Sequence, residues 1–191
     1  MNCYQEITLL PGTEIGLNFL WEKVYQQLHL GFVAMKDESG KVAIGVSFPN
    51  YNEESHRLGE KLRLFAETED LLSRFNAREW LAVLSDYVHL TSIKPVPEKI
   101  EKYASFYRIQ LKSQLNRAQR KARRKNISVE KALHYYDAYV EQRTKAPFIN
   151  LKSASSGESF KLFIGYVGQD DASKKGFSCY GLSRQSTVPI F

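Results

Sequence analysis

The chain is poor in the residues that staple or arm many small proteins. Among its 191 residues there are only two cysteines, Cys3 and Cys179, near opposite ends and outside any CxxC spacing. Neither a disulfide framework nor a zinc site is indicated, and both are read as small buried apolar side chains. With 6 prolines and 11 glycines it is neither collagen-like nor low-complexity, and 43% hydrophobic with 25% charged residues is the balance of a folded protein. Apolar runs such as Phe32 to Met35 fall far short of the ~18 residues of a membrane span. Asn2 to Glu6 lacks the charged-then-apolar pattern of a secretory leader, so no membrane is expected and a reducing cytoplasm is the expected compartment. Also missing are HExxH, a paired acidic motif, the GxSxG elbow and any Gly-rich nucleotide loop. No metal and no cofactor are expected, and phosphoryl chemistry on this chain would have to be metal-independent.

Acid is missing from one segment altogether. From Ser105 to Asn126 there are eight basic residues, Arg108, Lys112, Arg117, Arg120, Lys121, Arg123, Arg124 and Lys125, and no Asp or Glu. The segment carries +8 of a formal total of +6, which leaves the rest of the chain slightly acidic. On a helix, Arg117, Arg120, Lys121 and Arg124 recur at i, i+3, i+4 and i+7, opposite Leu111, Leu115, Ala118 and Ala122. Solvated surface helices usually interleave Glu to relieve such repulsion. A polyanion is the natural partner, although charge alone does not separate DNA from RNA. Just upstream, Arg108 and Gln110 alternate onto one face of an expected strand. Arg can fork onto guanine O6/N7 and Gln onto adenine N6/N7; the polar outer face of an edge strand would look the same.

Apolar periodicity gives the order βαββαβ for the first ninety-odd residues. Cys3 to Leu10 is a strand; Leu17, Leu20, Trp21, Val24 and Leu28 mark a helix that Gly31 can close; Val42, Ile44 and Val46 begin a second strand and Lys61 to Ala66 alternates as a third. A helix starting at Thr68 and continuing through Leu84, then a strand from Tyr87 to Ile93, complete the ferredoxin-like pattern, which indicates a fold and not a function. Pro95 and Pro97 mark the expected boundary between domains 1–95 and 96–191. The second half is read as a strand from Tyr103 to Leu111, the basic helix, a helix from Ser128 to Arg143, and strands at Phe148 to Ser153, Phe160 to Val167 and Phe177 to Leu182. The expected class is α+β: an N-terminal ferredoxin-like domain followed by an α+β domain that carries the basic helix.

Of four histidines, His29 stands out because it falls near the expected end of the first helix. A favourable interaction with the helix dipole accounts for such a residue without chemistry, but an imidazole there also suits proton transfer near neutral pH. His56, His89 and His134 lack metal-ligand spacing. Lys152-Ser153-Ala154-Ser155-Ser156-Gly157 has the composition of a hairpin turn. Phe160 and Tyr180 lie in aromatic-rich stretches, where core packing is the ordinary explanation and base stacking the rarer one.

Several blocks together resemble the type I-F CRISPR repeat-processing endoribonucleases: Gly45-Val46-Ser47-Phe48-Pro49, Arg57 through Arg63, Ser153 through Gly157 with Phe160 to Ile164, and Cys179-Tyr180-Gly181-Leu182-Ser183. The resemblance implies cleavage of precursor CRISPR RNA at each repeat hairpin, without metal, by the RNA's own 2′-hydroxyl. It implies that His29 and Ser153 are catalytic and that Tyr180 orients the histidine. It places hairpin recognition on Arg108 and Gln110, the groove-entering helix on Arg117 to Lys125, stacking beneath the stem on Phe160, and Ser155 and Ser156 near the scissile phosphate. Lys112 is expected among the RNA contacts as part of the basic segment. Lys121 and Lys125 depart from an all-arginine helix and supply charge without the bidentate fork. The implied partners are the repeat stem-loop, kept after cleavage, and other subunits of the type I-F surveillance complex. A non-catalytic hairpin-binding protein is the alternative; against a base-stacking sheet, Lys61 to Ala66 lacks the RNP1 aromatics. A DNA-binding regulator would need helix-turn-helix spacing, which is not evident.

Overall fold

Glu6 pairs across the sheet with Arg63 and lies between two cations, Lys61 Nζ at 2.9 Å and Arg63 Nε at 2.8 Å. That cluster pins the register of β1 (Cys3–Leu9) against β3 (Lys61–Ala66), whose opposite face buries Cys3, Ile7, Leu9, Leu62 and Leu64. The computed structural model describes residues 1–100, 102–111, 114–136, 143–153 and 156–191. Within them the chain is α+β, with two antiparallel sheets.

The first sheet has the order β2 (Gly45–Ser47), β3, β1, β4 (Val88–Leu90), each neighbour antiparallel, with the two-residue β5 (Lys94–Pro95) also beside β1. Against it lies α1 (Leu17–Ala34), burying Leu20, Trp21, Val24, Tyr25, Leu28, Gly31 and Phe32. This helix does not close at Gly31. A Cβ there would stand 2.8 Å from ring atoms of both Phe75 and Trp80, so the glycine serves a close approach inside the helix and not its termination. In consequence His29 lies ahead of the last turn, beyond the main reach of the C-terminal dipole, and the helix-end explanation of it lapses. The helix expected from Thr68 through Leu84 is broken into α2 (Glu69–Phe75), α3 (Ala77–Trp80) and a 3₁₀ segment (Ala82–Tyr87). Asn76, left-handed at φ 46°, ends α2 and starts α3, a conformation asparagine tolerates better than most residues.

The second sheet has the order β7 (Phe148–Lys152), β8 (Ser159–Gln169), β6 (Lys102–Ile109), β9 (Val188–Ile190). The strand expected from Phe177 to Leu182 is absent. Phe177 makes a single bridge to Val42, and the chain then turns, with Gly181 N–H donating to Ser178 O and Ser178 N–H to Leu182 O. The edge position beside β6 is taken by β9, whose central proline, Pro189, is tolerated at a sheet edge.

One apolar core runs through both sheets, from Ile7 and Leu64 to Phe106, Ile149 and Ile164. Accordingly residues 1–108 and 146–191 form one compact unit and 109–145 a second, a different partition from a cut between 95 and 96. The second unit contains α4 (Gln114–Lys125) and α5 (Val129–His134), closed over Ala118, Ala122 and Ala132 with Ile127, Leu133 and Tyr136 at the margin. Asn126 at φ 50° ends α4, and Ser128 caps α5 by accepting from Lys131 N–H. α5 stops at His134, nine residues before the expected Arg143; the intervening 137–142 lie outside the described residues. No described helix is long and apolar enough to cross a membrane.

Candidate active site

Tyr25 and His29 stand one turn apart on α1 and project to the same side, and both hold the turn at 178–182. The Tyr25 hydroxyl donates to Tyr180 O at 2.8 Å, and His29 Nδ1 lies 2.7 Å from Cys179 O. A carbonyl can only accept, so Nδ1 carries hydrogen and the lone pair of the neutral ring is on Nε2. The Tyr180 ring lies flat on the imidazole, with centroids 4.3 Å apart and planes within 6°. Two hydrogen bonds and one stacked ring thus determine both the tautomer and the plane of His29.

The electrostatics keep that ring neutral. Burial pushes the His29 imidazole below its usual value of 6.5; the Cys179 carbonyl opposes this by favouring the cation, while Lys36 and Arg108 lower it further. Burial likewise raises the Tyr180 phenol, with Arg108 opposing, so the stacking partner is uncharged at neutral pH. Cys179, read as a small buried apolar side chain, is half-buried and contributes through its backbone.

The turn depends on Gly181, at φ +67°, where an added Cβ would come within 2.6 Å of Val46 Cγ1. Gly181→Ala is expected to cost about 1–3 kcal/mol through backbone strain and overpacking, measured as a lowered urea midpoint, because the turn must move away from β2.

Ser153 follows β7, and a side chain of α1 ties down that strand end. Gln26 Oε1 accepts from Lys152 N–H at 3.1 Å, and Gln26 precedes His29 by one turn, about 4.5 Å along the axis. Ser153 begins a tight turn in which its N–H donates to Glu158 O, its carbonyl accepts from Gly157 N–H and its Oγ accepts from Ser156 N–H at 3.2 Å. The end of β7 is therefore fastened beside the turn of α1 that carries the imidazole. Ser156 is exposed, whereas Ser155 lies outside the described residues.

Arg108, exposed near the end of β6, extends the cluster. Its guanidinium carbon is 5.2 Å from the Phe160 ring centroid and 5.5 Å from that of Tyr180, within cation–π range of both. His29, Tyr180, Arg108 and Phe160 form one chain of contacts, with Phe160 half-buried on β8. Gln110 is exposed and lies past the end of β6 in the second unit.

In the second unit α4 exposes Arg120, Arg123, Arg124 and Lys125. Lys121 packs on aromatics, its Nζ 3.5 Å from the Tyr135 ring centroid and 5.4 Å from that of Tyr136, and Arg117 is half-buried. The apolar face is narrower than the periodicity implied: Ala118 and Ala122 are buried, but Leu115 is 49% exposed. Lys112 lies outside the described residues. Among the described residues no group of three or more His, Cys, Asp or Glu is placed to hold a metal ion.

Sequence reasoning missed Tyr25 and Gln26. Each sits among apolar helix residues as ordinary packing; the only available signal for Tyr25 was its i, i+4 spacing to His29.

The family described as CRISPR-associated protein (Cas_Csy4) matches residues 4–191. Two proteins named CRISPR-associated endonuclease Cas6/Csy4 are similar end to end. That of Pseudomonas aeruginosa (strain UCBPP-PA14) is 37% identical over 193 positions and that of Escherichia coli (strain UTI89 / UPEC) 36%, with 100% of both chains covered in each case. A solved structure titled "An RAMP protein binding different RNA substrates" aligns over 100% of both chains with a TM-score of 0.36 and 13% identity.

Proposed function

The chain belongs to the Cas_Csy4 family of CRISPR-associated proteins, and from that premise we propose that it is an endoribonuclease that cuts precursor CRISPR RNA at the repeat hairpin, without metal, and keeps the product. The observation that carries the mechanism is the state of His29: a neutral imidazole whose Nδ1–H is committed to Cys179 O, leaving Nε2 as proton acceptor.

RNA brings its own nucleophile. Nε2 of His29 takes the 2′-hydroxyl proton, the 2′-oxygen attacks the adjacent phosphorus, the P–O5′ bond breaks, and the leaving oxygen takes a proton from solvent, to which His29 then releases its own. The products are a 2′,3′-cyclic phosphate and a 5′-hydroxyl. Ser153 Oγ holds the 2′-hydroxyl in line, which lowers the barrier by orientation alone, and Tyr180 holds the imidazole plane. Arg108 and Gln110 read base edges at the foot of the stem, Phe160 stacks beneath it, and Arg120, Arg123, Arg124 and Lys125 with Lys112, Arg117 and Lys121 neutralise phosphates. A-form RNA hides its major groove, but a short hairpin ends, and near that end a basic helix can enter. Ser155 and Ser156 lie close to the scissile phosphate in this reading. The strand order β2-β3-β1-β4 supports a ferredoxin-like layout for the N-terminal half, and the retained RNA would bring the protein into the type I-F surveillance complex.

The test is a labelled repeat hairpin incubated with the protein in EDTA, beside the same hairpin made of DNA. Cleavage of the RNA alone is expected. Binding without cleavage supports the non-catalytic hairpin binder instead, and equal binding of both duplexes supports a regulator of DNA.

A pH profile follows from the histidine. The base works only when deprotonated, so kcat/KM should rise as pH increases and level off, with its midpoint below the 6.5 of an ordinary imidazole, since this quantity reports groups of the free enzyme. A midpoint above that value would contradict the assignment.

A further inference from the structure

We propose that Arg108 is a positioning residue for His29: through Tyr180 its guanidinium links the aromatic platform at Phe160 to the imidazole, so that what binds at the platform governs how the base is held. This rests on the cleavage reading above and goes beyond it, because there Arg108 only contacts RNA.

The contacts are continuous within one compact unit. Phe160 comes from β8, Arg108 from β6, Tyr180 from the 178–182 turn and His29 from α1. Arg108 lies 5.2 Å and 5.5 Å from the two ring centroids, and Tyr180 is parallel to the imidazole at 4.3 Å. Among the described residues no carboxylate pairs with Arg108, and its guanidinium lies against two rings. Tyr180 has its backbone fixed by Tyr25, and its ring meets both the Arg108 guanidinium and the His29 imidazole. Loss of the guanidinium removes one contact that holds that ring, and the imidazole then keeps its hydrogen bond to Cys179 O while its stacking partner is less firmly held. A planar guanidinium packs flat on a ring, whereas lysine supplies only a point charge. Guanidinium shape and charge are thus separable by substitution.

Among the described residues, the charged and titratable groups that act on His29 are Lys36 just past the end of α1, Arg108 on β6 and the stacked Tyr180, with the Cys179 carbonyl on Nδ1. Removing the Arg108 cation leaves Lys36 and favours the imidazolium, so the ring should gain its proton at higher pH.

Arg108→Lys and Arg108→Gln test this in two ways. In the free protein, the His29 ring protons, shifted upfield by the stacked Tyr180, should move toward unstacked values in both variants by NMR, and the ring's titration midpoint should rise in Arg108→Gln. With hairpin at saturation, the single-turnover cleavage rate should fall about tenfold in both, the effect of a slightly misplaced base. Unmoved imidazole signals in both variants overturn the proposal, as does a wild-type rate once RNA is saturating, which is what a pure RNA contact would give. The NMR measurement needs no cleavage. If the unmodified protein cut nothing, the function above would fail while the positioning role of Arg108 could still be decided.

Discussion

A repeat hairpin carrying a single 2′-deoxy nucleotide at the cleavage position will be bound by this protein nearly as tightly as the all-RNA hairpin and will not be cut. The expectation follows from where the nucleophile resides. His29 offers a proton acceptor and Ser153 a short hydroxyl, and neither needs to attack phosphorus when the neighbouring ribose can. Deleting one oxygen removes the attacking group entirely, so the loss is complete and not graded. Affinity should survive because the stem contacts proposed for Arg120, Arg123, Arg124 and Lys125, all exposed on α4, would be made to phosphates and would not involve that hydroxyl. Cleavage time courses and filter-binding titrations of the two hairpins check both halves of the statement. Cutting of the deoxy hairpin would assign the nucleophile to water or to a side chain.

The second large effect is that of His29→Ala, which should slow cleavage by about 10²–10⁴-fold, the usual contribution of a positioned general base, with hairpin affinity unchanged. Alanine is the best helix former, and Tyr25 still holds the turn through Tyr180 O, so the fold is preserved and the loss lies in chemistry. Single-turnover rates at saturating hairpin measure it. A rate within a few-fold of wild type would move the base elsewhere. Ser153→Ala should act in the same direction but less, because the role proposed for Ser153 is to orient the 2′-hydroxyl and not to take its proton.

The strands with a clean period of two were legible from residues alone. The alternation marks Lys61–Ala66 to the residue, and β1 nearly so, because one face of each is buried. What escaped was decided by tertiary contact. Gly31 reads as a helix end, yet the rings of Phe75 and Trp80 need its missing side chain. Phe177 to Leu182 reads as an apolar strand, yet Tyr25 and His29 draw its carbonyls into a turn. Val188–Ile190 holds too few residues and a proline, so its pairing with β6 leaves no local pattern.

The candidate site was legible in part for a different reason. The basic run on α4 is a local signal that charge arithmetic detects. The meeting of His29 with Tyr180, about 150 residues apart in the chain, has no local signal, and only the family resemblance pointed to it. Even that resemblance left out Tyr25 and Gln26, whose roles arise from hydrogen bonds to backbone groups on other elements that residue identity does not encode.

The most direct test of the account is the chemistry of the new RNA ends formed in EDTA. Proton removal from the 2′-hydroxyl by His29 predicts a 2′,3′-cyclic phosphate on the upstream fragment and a 5′-hydroxyl on the downstream one. A 3′-hydroxyl paired with a 5′-phosphate would show that water attacked the phosphorus, and would contradict it.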